Sequence, residues 1–151
     1  MNNSTNNEVI WLTGCASGVG LHLTSAFLKR GYRVIATDIN LEELQRQAQV
    51  NDWDTERTLI RQLDITNRDA WKTLLDESLS KWQRVDKLLN IAGYLHPGYV
   101  HEIGFDEVDR HIDINVKGLI FGCQIVAQQM IKQGVGHIIN IASLAGLAPV
   151  P

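Results

Sequence analysis

A basic surface, a long apolar run and a cysteine framework are all missing from this chain of 151 residues. The formal net charge is -3, so there is no cationic footprint for nucleic acid. No apolar run approaches the ~20 residues of a bilayer-crossing helix. The opening MNNSTNNE lacks the basic start and apolar stretch of a signal peptide and is expected to be a frayed leader over residues 1–7. The two cysteines, Cys15 and Cys123, stand far apart with no CxxC or metal-type spacing. They read as reduced thiols of a cytoplasmic protein. The five histidines, His22, His96, His101, His111 and His137, show no metal-ligand spacing either, and no metal site is expected. Proline occurs three times, and no Pro/Gly/Ser-rich linker divides the chain, so one domain is expected over residues 8–151.

What is present is an alternation of short apolar runs and helical patterns. EVIWLTG, YRVIATD, RTLIRQLD, DKLLNIAG and GHIINIAS read as five strands. Between the first two, Val19, Leu23, Ala26 and Phe27 fall at helical spacing, and Gly31 stands where a terminating glycine belongs. LEELQRQAQ is rich in good helix formers, and NRDAWKTLLDESLSKW opens on an Asn suited to capping. The stretch from Phe105 to Gly134 holds one or two helices whose apolar residues wrap most of the way round, so one face is expected to meet another subunit. Strands alternating with helices of this length predict an α/β fold, a doubly wound parallel sheet with helices on both faces.

The first strand runs directly into TGCASGVG, Thr13 to Gly20, and then into a helix. Strand, glycine-rich turn and helix start together form a phosphate cradle, because unpaired N–H groups and the positive end of the helix dipole converge there. Gly14 is expected to allow the tight turn, Gly18 the approach of backbone to phosphate, and Gly20 the packing of helix on strand. Asp38 ends the second strand about twenty residues on, where a carboxylate can accept from ribose hydroxyls. That carboxylate would repel a 2′-phosphate, and no Arg or Lys lies inside the loop, so NAD is favoured over NADP.

The glycine spacing, Gly-x-x-x-Gly-x-Gly preceded by Thr13, resembles that of the short-chain dehydrogenase/reductase family. The resemblance continues through LDIT, NIAG, INVKG and GHIINIAS, from about Glu8 to Pro151. It implies a Rossmann-like NAD-binding domain with cofactor contacts at Thr13, Gly14, Ser17, Gly18, Val19, Gly20 and Asp38. Asp64 and Ile65 would lie against the adenine, although an Asp there can also cap a turn. Asn90, Ala92 and Gly93 match the family's Asn-Asn-Ala-Gly, with Ile91 in place of the second Asn. Asn115 matches the helix Asn that holds a kinked helix and a relay water, and its amide is otherwise out of place in a helix interior. Ser143 matches the serine whose hydroxyl donates to the substrate oxygen. Phe121, Cys123 and Ile125 read as packing.

The family's reaction moves a hydride between nicotinamide C4 and a carbonyl carbon, with a tyrosine as general acid or base. Unperturbed tyrosine titrates near ~10, so a lysine four residues later lowers it. Here none of Tyr32, Tyr94 and Tyr99 is followed by lysine at that spacing. The chain therefore reads as an incomplete domain, stopping before the Tyr-x-x-x-Lys helix and inactive by itself. The expected parent is an NAD-dependent oxidoreductase of a small-molecule secondary alcohol or ketone, a homo-oligomer with no nucleic-acid or membrane partner. An inactive dinucleotide-binding or regulatory module is the alternative.

Overall fold

In the computed structural model, which describes residues 7–148, the five expected strands form one parallel sheet in the order β3-β2-β1-β4-β5. The strands are β1 (Val9–Thr13), β2 (Arg33–Asp38), β3 (Thr58–Gln62), β4 (Lys87–Asn90) and β5 (His137–Asn140). Residues 1–6 of the expected leader over 1–7, and the closing Pro149 to Pro151, lie outside the described residues.

Why β1 is an unbroken apolar run follows from its place in the middle of the sheet. Successive side chains point to opposite faces. Val9 and Trp11 enter one core cluster, and Ile10 and Leu12 the other. The first cluster is closed by α3 (Arg68–Trp82) and α5 (Leu119–Gln133), which carry Trp71, Leu74 and Val126. Trp11 and Trp71 meet there, ring centroids 4.9 Å apart, a pairing that adds about 1 kcal/mol beyond its buried area. Trp71 Nε1 donates to the Ile65 carbonyl at 2.9 Å, so its one polar atom is satisfied. The second cluster lies beneath α1 (Gly18–Lys29) and α2 (Leu41–Val50), with Leu44 and Trp53 at its centre.

Helix ends follow the expected chemistry. Asn67 Oδ1 accepts from the N–H groups of Asp69 and Ala70, and Asn40 Oδ1 from that of Glu43. Gly31 follows α1 with φ +80°. The α1 stripe needs one correction. Leu23 and Phe27 pack inward with Leu21 and Leu28, but Val19 is 56% exposed. The buried line of α1 runs instead through Gly20 and Thr24, because the helix lies too close to the glycine loop for a side chain at position 20.

The long segment after β4 is two helices joined without a break. α4 (Phe105–Ile112) passes through a π-helical turn, Asp113–Gly118, into α5. A π turn inserts one extra residue and often marks a functional position; here it contains Asn115. Strands β1 and β4 are neighbours in the sheet but far apart in sequence. In such a sheet the crevice beyond the carboxyl ends, where the strand order reverses, is the place for a ligand.

Candidate functional site

A cavity of about 490 Å³ opens at that reversal point. One wall is Gly14, Ser17, Gly18, Val19 and Gly20 at the start of α1; another is Asp38 with Ile39 beyond β2. Leu63, Asp64 and Ile65 line it beyond β3, and Ile91, Ala92, Gly93 and Tyr94 beyond β4. Of the residues named from sequence, ten meet here: Gly14, Ser17, Gly18, Val19, Gly20, Asp38, Asp64, Ile65, Ala92 and Gly93. Thr13, Asn90, Asn115 and Ser143 are not part of its lining.

The glycines are explained by distances. Gly14 has φ +73°, and a Cβ there would stand 3.0 Å from the backbone of Ala92. A Cβ on Gly20 would lie 2.0 Å from the Gly14 carbonyl oxygen, so only glycine lets α1 start flush against the loop. Gly18, with φ +52°, faces open space. At the N-terminus of α1, Ser17 makes no side-chain cap and no acidic residue occupies the first turn. Asparagines cap α2 and α3, whereas α1 presents its first-turn N–H groups and dipole to the cavity without an internal anion. These features fit a diphosphate.

Asp38 is more engaged than its position at a strand end suggests. Its Oδ2 accepts from the Ala16 N–H and its Oδ1 from that of Asn40, both at 2.9 Å. The carboxylate thus ties the end of β2 to the glycine loop while facing the cavity. Asp64 does cap a turn, Oδ1 accepting from the Thr66 N–H and hydroxyl, and it lines the cavity as well.

The four residues outside the lining hold the walls. Thr13 Oγ1 accepts from the N–H groups of Ile91 and Ala92, at 3.0 and 3.1 Å, fastening the end of β4 to the end of β1. Asn90 is buried, its Nδ2 donating to Asn140 Oδ1 at 2.8 Å across the β4–β5 pair. Cys123 Sγ lies 3.4 Å from the same Nδ2, so its packing includes a polar contact. Asn115 pairs with the Tyr94 backbone in both directions: Oδ1 accepts from the N–H at 2.8 Å and Nδ2 donates to the carbonyl at 2.7 Å. Ser143 is exposed and its Oγ accepts from the Ala145 N–H at 3.1 Å, capping the short turn Leu144–Gly146.

Sequence reasoning missed Tyr94, Arg110, Ile114 and Ile141 as cavity residues. The signal for Arg110 and Ile114 was their i, i+4 spacing, with Ile114 directly before Asn115 and Arg110 a little over one turn before it. The Tyr94 hydroxyl donates to Glu107 Oε2 at 2.5 Å. That bond, chiefly, holds Tyr94 above and Glu107 below their ordinary ranges. His111 edges against the Tyr94 ring and accepts the His96 N–H through Nε2. His96 itself is half exposed on the loop and is not among the cavity residues. Among the described residues no group of three or more His, Cys, Asp or Glu is arranged to hold a metal ion. No described helix is long and apolar enough to cross a membrane.

Comparison with known proteins gives the same picture over almost the whole chain. Residues 8–151 match the family model described as short chain dehydrogenase. The chain is 30% identical to an uncharacterized oxidoreductase of Staphylococcus saprophyticus over 99% of its length and 60% of the relative's. It is 34% identical to the NADP-dependent 3-hydroxy acid dehydrogenase of Escherichia coli K12, over 93% of the chain and 56% of the relative. Among solved structures it is similar to serine dehydrogenase from Escherichia coli, with TM-score 0.85 and 33% identity, covering 94% of the chain and 65% of that structure. The chain thus spans somewhat more than half the length of the curated relatives it matches.

Proposed function

Because the chain belongs to the short chain dehydrogenase family, we propose that its cavity holds a nicotinamide dinucleotide for an oxidoreductase acting on a secondary alcohol or ketone. The observation that carries this reading is the uncapped N-terminus of α1, set behind a glycine loop and facing a cavity with Asp38 at one end. When bound, the nicotinamide supplies a hydride donor or acceptor at C4. The chain's own residues bind and orient. The first-turn N–H groups of α1 and the backbone of Gly14, Ser17, Gly18 and Val19 hold the diphosphate. Asp38 accepts from the adenosine ribose; Ile65 packs on the adenine, and Asp64 accepts from its exocyclic amine. Ala92 and Gly93 are a backbone wall for the second ribose, kept in place by Thr13, while Asn90 fixes the end of β4.

NAD is proposed over NADP because a 2′-phosphate would stand beside the Asp38 carboxylate, like charge against like. Asn115 positions the loop after β4 and the relay water, and Ser143 donates to the substrate oxygen once its hydroxyl turns from its cap. The exposed apolar row Val108, Ile112, Val116 and Ile120, each 43–47% exposed, supports a homo-oligomeric parent. The unpaired thiols of Cys15 and Cys123 support a cytoplasmic one.

A second reading is a dinucleotide-binding module without turnover, which the lack of a Tyr-x-x-x-Lys motif further along the parent chain would favour. No tyrosine in these 151 residues has a lysine four positions on, so the acid–base pair is not within them. Calorimetric titration with NADH and NADPH tests the binding reading: NADH is expected to bind more tightly, and tighter NADPH would overturn the Asp38 argument. The same chain is expected to show no alcohol-dependent rise in NADH absorbance.

A further inference from the structure

Among the described residues, Arg110 is the one cation lining the cavity, which otherwise presents the carboxylates of Asp38 and Asp64. A dinucleotide brings further negative charge into that space. The sequence offered no Arg or Lys inside the glycine loop, and the structure supplies one from α4, across the cavity.

How Arg110 is held matters as much as where it is. Its guanidinium carbon stands 4.3 Å from the centroid of the Tyr94 ring. Stacking on an aromatic face fixes the plane of a guanidinium and leaves its N–H edge available for a bidentate acceptor. Glu107, three positions earlier on α4, accepts the Tyr94 hydroxyl and stands near Arg110 as an opposite charge. That donation also enriches the ring face on which the cation rests. The ring in turn is located by its own backbone, clamped in both directions by Asn115. Residues 93–94 directly follow Ala92, which abuts Gly14, so the Arg110 platform and the phosphate cradle share a wall.

We propose that Arg110 is a phosphate-binding residue of this cavity, presented to the dinucleotide by Tyr94. This rests on the dinucleotide reading above and adds to it a cationic contact from α4. The partner is a phosphate group of the dinucleotide, either the bridging diphosphate or a 2′-phosphate. Arg110 is exposed on its helix, so its replacement leaves the core intact.

The test is calorimetric titration of the 151-residue chain and its Arg110→Gln and Arg110→Lys variants with ADP, adenosine, NADH and NADPH. Arg110→Gln is expected to leave adenosine unchanged and to weaken about tenfold, as loss of one charge-assisted hydrogen bond should, ADP and both dinucleotides if the contact is to the diphosphate, or NADPH alone if it is to the 2′-phosphate. Arg110→Lys, which keeps charge but not planarity, is expected to fall between. An equal loss for NADH and NADPH assigns the contact to the diphosphate, and a loss confined to NADPH assigns it to the 2′-phosphate. Either result supports the proposal. If Arg110→Gln binds ADP and NADPH as tightly as the parent, or loses adenosine in equal measure, it is overturned. A parent chain that binds none of the four would instead sink the dinucleotide reading itself.

Discussion

Replacing Thr13 by valine keeps the side-chain outline and removes one oxygen atom. That atom accepts two backbone N–H groups, from Ile91 at 3.0 Å and Ala92 at 3.1 Å. Thr13 is 2% exposed, so water does not replace it easily. The two donors are partly buried, which places the cost of leaving each unpaired near ~1 kcal/mol, about 2 kcal/mol together. A loss of that size lowers the folding constant roughly 30-fold and the Tm by roughly 4–8 °C in a chain of this length. Thr13→Ser keeps the acceptor and loses a methyl group, at about 1 kcal/mol. Urea unfolding followed by tryptophan fluorescence measures both variants, since Trp11 and Trp71 are fully buried. NADH titration then reads the wall itself: valine should weaken binding and serine should not. If the valine variant is no less stable than the serine variant, the oxygen is not fastening β4 to β1.

The glycine loop should separate stability from binding. Gly20→Ala places a methyl 2.0 Å from the Gly14 carbonyl oxygen and should destabilise by about 1–3 kcal/mol. Gly18→Ala meets nothing within 4 Å, costs about 1 kcal/mol for its left-handed backbone, and should act mainly on dinucleotide affinity. Urea midpoints and titration of the two variants check this, and the reverse split would refute it. Burial pushes the Cys15 thiol up to about 12 from an ordinary 9.0. The unfolded chain therefore releases this proton first. The stabilisation is complete below pH ~9 and is lost as pH rises toward 12, by up to about 4 kcal/mol. Urea midpoints between pH 8 and 10.5 should fall less steeply for Cys15→Ala than for the parent, and equal slopes would contradict the argument.

The parts of the site that were legible in the sequence are those built from one local segment. TGCASGVG declares itself because a strand end, a tight turn and a helix start are adjacent in the chain. Asp38 and Asp64 are legible for the same reason, each at a strand end. What could not be read was how segments distant in sequence share their polar atoms. The Thr13 oxygen serves β4, the Asn115 amide serves the Tyr94 backbone, and Ser143 caps its own turn. Val19 illustrates a periodicity argument overruled by contact: its spacing suits a buried stripe, yet the close approach at Gly20 rotates it outward. Arg110 was hidden because its placement depends on the ring beneath it, sixteen positions earlier. The π turn at Asp113–Gly118 has no propensity signature, since it depends on how two helices meet the sheet.

The strand order has a consequence for assembly. β1, β2 and β3 with their two helices form a contiguous half-sheet from residues 9 to 62, which needs nothing later in the chain for its pairing. The other edge of β1 waits for β4, and that seam is closed by contacts spanning nearly eighty residues: Val9 N–H to Asp86 at one end, Thr13 to Ile91 and Ala92 at the other. The cavity straddles the same seam. A dinucleotide that binds only the docked halves would act as a fastener in folding, adding about 2.7 kcal/mol at a hundred times its Kd.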